Sequence, residues 1–192
     1  VGATYPLVKH SYLIQDIKDI PQVVHEAFEI AISGRPGPVL IDIPKDIQQQ
    51  ECIPDFAVNF DLASYKPNLE PSPLDVKKAA HAIMEAKRPV IYAGGGIIAA
   101  EASAELRKLV KTTGIPITNT VMGLGSFPMS DPLSLHMLGM HGAVYANIAM
   151  NHADLIIALG VRFDDRVTGK LSEFCKNAKF IHVDIDASEI NK

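Results

Sequence analysis

The residues best suited to chemistry follow two short apolar runs of the sequence. The run PVIYA leads into Gly94, Gly95 and Gly96, and the run DLIIALG, which ends at Gly160, leads into RFDDRVTG. Glycines allow backbone N–H groups to approach a pyrophosphate closely, and arginines bind phosphate through paired hydrogen bonds. Together the two stretches indicate a ligand of the dinucleotide type, whereas the glycines alone also fit a simple tight turn.

Acidic side chains accompany the arginines and admit several interpretations. The carboxylates of Asp164 and Asp165 can accept hydrogen bonds from sugar hydroxyls, can hold the neighbouring arginines in place, or can belong to a solvated turn whose ion pairs contribute little. Asp184 and Asp186, at the end of KFIHVDID, can bind a ribose hydroxyl or cap the next helix. The spacing GGG, in place of GxGxxG, argues against an ordinary nicotinamide dehydrogenase.

Predicted helices and strands alternate around these residues. The first helix begins at Pro21 and ends before Gly34, which suits a left-handed cap. Its inner face is predicted to carry Val24, Ala27, Phe28 and Ala31. The run PVLIDIP then predicts a buried strand, and no strand is predicted ahead of the helix. Residues 46–71 lack a sustained period and are expected to be a surface linker.

A second series of elements begins at Ser72, which can cap a helix that has Pro73 in its first turn and Asp75 reaching back to the cap. The inner face of this helix is predicted at Val76, Ala79, Ala80 and Ile83. A helix at 101–113 is predicted to bury Leu106, Leu109 and Val110 and to stop at Gly114. Further predicted elements are the strands PVIYA, IPITNT, DLIIALG and KFIHVDID and the small-residue helix GAVYANIAMNHA.

The composition agrees with a globular α/β chain. Hydrophobic residues make up 47% of the 192 residues and charged residues 21%, and the formal net charge is −4. No basic run interleaved with aromatic residues indicates nucleic-acid binding, and no apolar run reaches the ~20 residues of a membrane span. Cys52 and Cys175 are expected to be reduced thiols, and the histidine spacing predicts no metal site. Apolar strands alternating with helices predict a doubly wound parallel sheet.

Four longer stretches carry a family resemblance. SGRPGPVLIDIPKD (33–46), YAGGG (92–96), GLGSFPMSDPLSLHMLGMHG (123–142) and ADLIIALGVRFDDRVTGK (153–170) resemble the catalytic subunits of acetohydroxyacid (acetolactate) synthases. The motifs GMHG and RFDDRVTG distinguish this family from pyruvate decarboxylase, pyruvate oxidase and benzoylformate decarboxylase better than the glycines do.

The resemblance implies a thiamine-diphosphate-dependent enzyme with three domains. Residues 1–45 resemble the tail of the pyrimidine-binding domain, 46–71 a linker, and 72–192 most of the central, Rossmann-like FAD-binding domain. The FAD is expected to be structural, because the condensation of pyruvate involves no net redox change. The activating glutamate is expected ahead of Val1 and the magnesium-diphosphate motif beyond Lys192, so no catalytic or metal-binding residue is assigned here.

The resemblance also implies two sets of site residues. The expected FAD contacts are Arg35, Gly94, Gly95, Gly96, Thr120, Val121, Leu138, Gly139, Met140, His141, Gly160, Arg162, Asp164, Arg166, Val167, Asp184 and Ile185. The residues expected near a channel that binds substrate or herbicide-type inhibitors are Lys45, Met140, Asp165 and Arg166. At 119–123 the sequence NTVMG departs from the family's TTLxG-like pattern, and many relatives have glutamate in place of Asp184.

The intact enzyme implied by the resemblance uses pyruvate and 2-oxobutyrate and is a homodimer or homotetramer, with a small regulatory subunit as a further partner. A bacterial cytoplasm is the expected location, with a plastid or mitochondrion as the alternative. The chain by itself is expected to be a fragment without activity. Two other readings remain open at this point: a stand-alone dinucleotide-binding module, and the central domain of another thiamine-diphosphate enzyme.

Overall fold

The computed structural model describes residues 1–57, 62, 65, 67 and 69–192. These residues form two compact units, Val1–Glu70 and Pro71–Lys192. The expected linker at 46–71 falls at the end of the first unit. Its residues 58–61, 63, 64, 66 and 68 lie outside the described residues.

The first unit contains a small parallel sheet. Its elements are β1 (His10–Leu13), α1 (Ile20–Ile32), β2 (Val39–Asp42) and the short α2 (Lys45–Gln48). Strands β1 and β2 pair in parallel, with His10 opposite Val39 and Leu13 opposite Asp42. The expectation that α1 has no strand ahead of it was therefore wrong. The segment HSYL escapes a search for apolar strands because it is half polar and only partly buried.

Helix α1 buries a narrower face than its pattern predicts. Ala27 and Ile30 are buried, whereas the side chain of Phe28 is 69% exposed. The prediction that Phe28 faces inward was wrong, because the buried stripe passes through 27 and 30 and leaves Phe28 about 100° around the helix. At the C-terminus the Lys9 ammonium donates to the carbonyls of Ile30 and Ser33, and Gly34 follows in the left-handed region with φ +57°.

The second unit is a five-stranded parallel sheet with helices on both faces, which confirms the predicted fold class. Its strand order is β5-β4-β3-β6-β7. In chain order its elements are α3 (Pro73–Glu85), β3 (Pro89–Ala93), α4 (Gly95–Ala99), α5 (Ser103–Thr113), β4 (Ile117–Asn119), β5 (Ser134–Met137), α6 (Val144–His152), β6 (Leu155–Leu159), α7 (Asp165–Thr168) and β7 (Lys179–Val183).

The two faces of this sheet pack against different helices. Ile91 and Ile157 face the side covered by α3 and α5, where Leu106 and Val110 are buried as predicted. The alternate positions, including Tyr92, face α6 on the opposite side. Successive side chains of a strand point to opposite faces, so strands covered on both sides must be apolar throughout. The runs VIYA and LIIAL satisfy that requirement.

Helix α3 begins as predicted but is capped differently. Ser72 is its N-cap residue, yet the Ser72 hydroxyl makes no capping hydrogen bond, and Asp75 pairs with Lys78 at 3.0 Å instead of reaching back. Of the predicted inner face, Ala79 and Ile83 are half-buried, whereas Val76 and Ala80 are exposed. The buried edge of α3 is completed by Ala82 and Ala86, so the prediction was displaced by part of a turn.

Strand β5 was absent from the predicted set. His136, within β5, has φ +58°, and the register with β4 shifts so that Ile117 lies opposite Ser134 and Asn119 opposite Met137. One extra residue on β5 forms a bulge, which breaks the two-residue alternation by which strands are predicted. The bulge redirects the chain immediately before Leu138.

The turns after β3 and β6 contact each other through their backbones. The N–H of Gly94 donates to Leu159 O, and the N–H of Gly96 donates to Gly160 O, both at 3.0 Å. A Cβ on Gly94 would overlap the Gly160 carbonyl and would lie 2.7 Å from Val161 Cγ1. Gly160 itself has φ +58°, and a Cβ there would lie 2.7 Å from the Cα of Gly96. Side chains are thus excluded from both turns.

Helix length and the state of the cysteines concern membrane insertion and disulfide formation. No helix among the described residues is long and apolar enough to cross a membrane. Cys52 is exposed and Cys175 is buried, and neither forms a disulfide. Burial raises the pKa of the Cys175 thiol to about 12, so this side chain is an unreactive part of the core.

Two glycine substitutions separate the effect of space from that of backbone conformation. Gly94→Ala introduces a clash at an ordinary φ, whereas Gly114→Ala meets nothing within 4 Å but has φ +68°. We expect Gly114→Ala to lower the free energy of unfolding by about 1 kcal/mol, and Gly94→Ala to lower it by about 3 kcal/mol or more. Urea unfolding of the chain, followed by circular dichroism, measures both. Equal losses would contradict the backbone contact between the turns.

Candidate functional site

The predicted site residues of the second unit gather at one edge of its sheet. All five strands are parallel, so their carboxyl ends share that edge, which is where open α/β sheets bind ligands. The residues that follow these strand ends are Gly94–Gly96, Thr120–Val121, Leu138–His141, Gly160–Val167 and Asp184–Ile185. Arg35 and Lys45 belong to the first unit, after α1 and at the start of α2.

The glycine turn after β3 has fewer unbonded backbone N–H groups than its sequence indicates. The N–H groups of Gly94 and Gly96 are bonded to the carbonyls that end β6. Gly95 is the first residue of α4, and the N–H of a first helical residue has no partner within the helix. Of the three glycines expected to contact a phosphate, Gly95 is therefore the one whose backbone N–H is not bonded to the end of β6.

Two polar side chains fix the turn after β4. The Thr120 hydroxyl accepts from the N–H of Gly123 at 3.0 Å. The buried Asn119 amide donates to Gly123 O at 3.1 Å and to Ser126 Oγ at 2.9 Å. The side chains of Val121 and Met122 are left 66% and 74% exposed. Asn119 was missed in the sequence; the signal that marks it is an amide side chain at the end of a short, fully buried strand.

The loop after β5 is attached to the loop after β6. Gly139 has φ +96°, and a Cβ there would lie 3.0 Å from Arg166 O. The N–H of Met140 donates to that same carbonyl at 2.9 Å. Leu138 is buried, whereas Met140 is 71% exposed and His141 is also exposed. The loop therefore anchors itself through Leu138 and presents Met140 and His141 outward.

An aspartate between two arginines organises the loop after β6. Asp164 accepts from Arg162 Nη2 at 2.6 Å and from Arg166 Nη1 at 2.9 Å, and it caps α7 by accepting from the Arg166 N–H at 3.1 Å. This backbone hydrogen bond, a side-chain hydrogen bond with Asp165 and the charges of both arginines lower the pKa of Asp164 to about 2. Of the roles considered for Asp164, holding the arginines is the one its contacts support.

The arginines keep part of their surface for a ligand. The side chains of Arg162 and Arg166 are 55% and 69% exposed, and that of Asp165 is 89% exposed at 3.9 Å from Arg166. A guanidinium has five N–H donors, so one carboxylate does not saturate two of them. This loop can therefore bind a phosphate group while Asp164 remains in place.

The acids after β7 form local turns. Asp184 Oδ1 accepts from the Asp186 N–H at 2.9 Å. Asp186 caps the 3-10 turn Ala187–Glu189 by accepting from the Ser188 N–H at 3.0 Å, so the capping interpretation holds for Asp186. Ile185 and Val183, which are 48% and 53% exposed, are the apolar side chains presented at this strand end.

A buried tyrosine lies beneath the charged loop. Tyr92 is fully buried, and among the described residues its hydroxyl has no hydrogen-bond partner. Its ring contacts Phe163 edge-on at 5.8 Å between centroids. Burial, with a contribution from the charge of Asp164, raises the pKa of this hydroxyl. Tyr92 therefore remains neutral and contributes packing beneath the loop.

Exposed apolar side chains accompany the charged ones at this edge of the sheet. On the elements and loops that follow the strand ends these are Ile98, Val121, Met122, Met140 and Ile185. In the described part of the chain, no group of three His, Cys, Asp or Glu side chains is arranged to hold a metal ion. The edge therefore presents the cationic groups of Arg162 and Arg166 together with apolar surface.

The fold and the edge define a doubly wound α/β domain with its candidate site at the strand carboxyl ends. Residues 76–192 match the family model described as "Thiamine pyrophosphate enzyme, central domain". The chain therefore belongs to the thiamine pyrophosphate enzymes.

The relatives within this family are acetolactate synthases. The chain is 53% identical to acetolactate synthase, chloroplastic, of Arabidopsis thaliana, 54% identical to acetolactate synthase 2, chloroplastic, of Nicotiana tabacum and 55% identical to acetolactate synthase 1, chloroplastic, of Zea mays. Each alignment covers 100% of this chain and 29–30% of the relative, so the chain spans about 30% of the length of these relatives. The resemblance seen in the motifs is thereby confirmed.

The arginine pairing gives a titration prediction. The folded-state pKa of Asp164 lies below its ordinary value, so its stabilising contribution is present above the usual aspartate range of about 4 and is lost as the pH falls towards 2. We expect the Asp164 carboxyl carbon to titrate near pH 2 by NMR and Arg166→Met to raise that pKa. Arg107→Met, on α5 at the other face of the sheet, is the control. An unshifted titration in Arg166→Met would contradict the pairing.

Proposed function

We propose that this chain is part of an acetolactate synthase catalytic subunit. That enzyme condenses two pyruvates to 2-acetolactate with loss of CO₂, or condenses pyruvate with 2-oxobutyrate, in branched-chain amino-acid biosynthesis. The observation that carries the proposal is the identity of 53–55% to named acetolactate synthases along the whole chain. Each alignment runs along the whole of this chain, and identity at this level is more than a shared fold alone would require.

Within that enzyme, we propose that residues 72–192 hold FAD at the carboxyl edge of their sheet. The strongest support is the loop in which Asp164 presents two partly exposed arginines, at the same sheet edge as the exposed apolar side chains of Val121 and Met140. Arginines are well suited to phosphate recognition, and apolar side chains are suited to the burial of a ring system.

The expected contacts divide along the cofactor. Gly95, Arg162 and Arg166 bind phosphate oxygens; Val121 and Met140 lie along the ring system. Asp184 and Ile185 approach the adenosine half. The residues of the second unit that we propose for the substrate and inhibitor channel are Met140, Asp165 and Arg166.

The remaining chemistry is proposed for other segments of the enzyme. Thiamine diphosphate, bound there with magnesium, supplies the electron sink that decarboxylation and carbon–carbon bond formation require. The residues of this chain orient FAD and shape the approach to that centre. The proposed assembly is a homodimer or homotetramer with a regulatory subunit. The proposed compartment is a bacterial cytoplasm, with a plastid as the alternative that the chloroplast relatives support.

An activity assay tests the parent function. We expect the natural gene product that contains these residues to form acetolactate from pyruvate when thiamine diphosphate, magnesium and FAD are supplied. The 192-residue chain under the same conditions is expected to form none, because no catalytic residue is assigned to it. A gene product that binds all three cofactors but only releases acetaldehyde from pyruvate would contradict the carboligase proposal. Turnover by the 192-residue chain alone would contradict the proposal that other segments carry the catalytic chemistry.

Removal of one arginine tests the flavin site. We expect Arg162→Ala in the gene product to weaken FAD binding about tenfold, since a charge-assisted hydrogen bond contributes roughly 1.5–3 kcal/mol and Arg166 remains. FAD content after gel filtration and a fluorescence titration of the flavin-free protein provide the measurement. Arg107→Ala, which removes a positive charge on α5, should leave FAD affinity unchanged. Equal FAD affinity in Arg162→Ala and the wild type would exclude the phosphate role of Arg162.

A further inference from the structure

The side chain of Asn147 binds the loop after β5 through three hydrogen bonds, in addition to the loop's own backbone contacts. The Gly139 N–H donates to Asn147 Oδ1 at 2.8 Å, and Asn147 Nδ2 donates to Gly139 O at 3.1 Å. The same Nδ2 donates to Ala143 O at 3.3 Å. The amide of Asn147, in the first half of α6, thus pairs with both polar groups of one peptide residue, as a neighbouring strand would.

A primary amide satisfies this arrangement with both of its polar atoms. The Gly139 N–H requires an acceptor, and the Gly139 carbonyl accepts a second hydrogen bond beside the one from the Gly142 N–H at 3.0 Å; Asn147 supplies both partners from one planar group. Aspartate would keep the acceptor, lose the donor and set a negative charge against two carbonyl oxygens. Alanine would leave both Gly139 groups without this partner.

The peptide that Asn147 holds is the one that joins the two candidate loops. The next N–H, that of Met140, donates to Arg166 O at 2.9 Å, and Gly139 has the φ of +96° and the missing side chain that let this contact form. Arg166 in turn is held by Asp164. A continuous set of hydrogen bonds therefore runs from α6 through Gly139 and Met140 to the arginine loop.

We propose that Asn147 is a positioning residue for the cofactor edge. It holds Met140 outward and keeps the loop after β5 against the arginine loop, so that apolar and cationic contacts face a flavin dinucleotide at the same time. This role rests on the proposed FAD site. Without Asn147 the loop populates the binding shape for only part of the time, and the apparent affinity falls by that fraction.

The test compares two asparagines on one helix. Asn151, one turn further along α6, donates to Asn147 O at 3.0 Å and accepts from the Cys175 N–H at 3.3 Å. Asn147→Asp and Asn151→Asp therefore make the same chemical change on the same helix, and only the first alters the loop. We expect Asn147→Asp to weaken FAD binding to the gene product about tenfold, which is ~1.4 kcal/mol, and Asn151→Asp to leave it unchanged.

Two readouts separate positioning from general destabilisation. At saturating FAD the visible circular dichroism of the flavin should change in Asn147→Asp and not in Asn151→Asp. Amide exchange measured by mass spectrometry should be faster in the peptides that contain 138–143 and 164–168 and unchanged in β3 and β6. Uniformly faster exchange, or the same FAD loss in both variants, would overturn the proposal.

The wild-type protein supplies a further measurement if Asn147→Asp does not fold. The peptide containing Gly139 and Met140 should exchange slowly in the flavin-free wild type, and rapid exchange there would overturn the role of Asn147. A wild-type gene product that binds no FAD would instead overturn the proposed FAD site, while the exchange of this peptide would still decide whether Asn147 holds the loop.

Discussion

The backbone contact between the turns after β3 and β6 is the constraint on which the candidate site depends. β3 is the central strand of the order β5-β4-β3-β6-β7, so the position of its last residues sets the positions of both neighbours. On one side Gly94 and Gly96 bond to the end of β6. On the other side Ala93 O accepts from the Thr120 N–H at 2.9 Å, and Gly123 lies so close that a Cβ there would be 3.0 Å from Gly94 Cα. The glycines are therefore required by the protein itself before any ligand is considered.

The charged loop shows why counting charges does not define an anion site. Arg162, Asp164, Asp165 and Arg166 carry a formal charge of zero between them, so the loop attracts a phosphate through the orientation of its donors. Asp164 fixes that orientation but also competes for the same guanidinium groups, since its carboxylate is 20% exposed and bonded to both. For the dinucleotide that we propose for this site, the rings would then supply much of the binding free energy. The exposed Met122 and Met140, at 74% and 71%, are adaptable side chains for that purpose.

The sequence predicts those parts of the fold that are governed by local pattern. Strands β3 and β6 are apolar on both faces, and Gly114 ends α5 at the predicted position. Both are predictable because burial favours apolar residues and left-handed backbone favours glycine. Strands β1 and β5 leave weaker marks, since HSYL is half polar and SLHM contains the bulge at His136. The asparagines at 119 and 147 were missed for a different reason: their importance lies in which peptide groups they meet, which depends on how the chain turns after each strand.

The two motifs that carry the family resemblance are physically one structure. GMHG and RFDDRVTG are separated by α6 and β6 in the chain, yet the Met140 N–H binds Arg166 O and the bare Cα of Gly139 faces that carbonyl. A larger side chain at 139, or a different backbone path at 166, would separate the loops. The two motifs therefore specify, between them, how the two loops fit together. Asn147, which binds one of these loops through Gly139, contributes to the same fit.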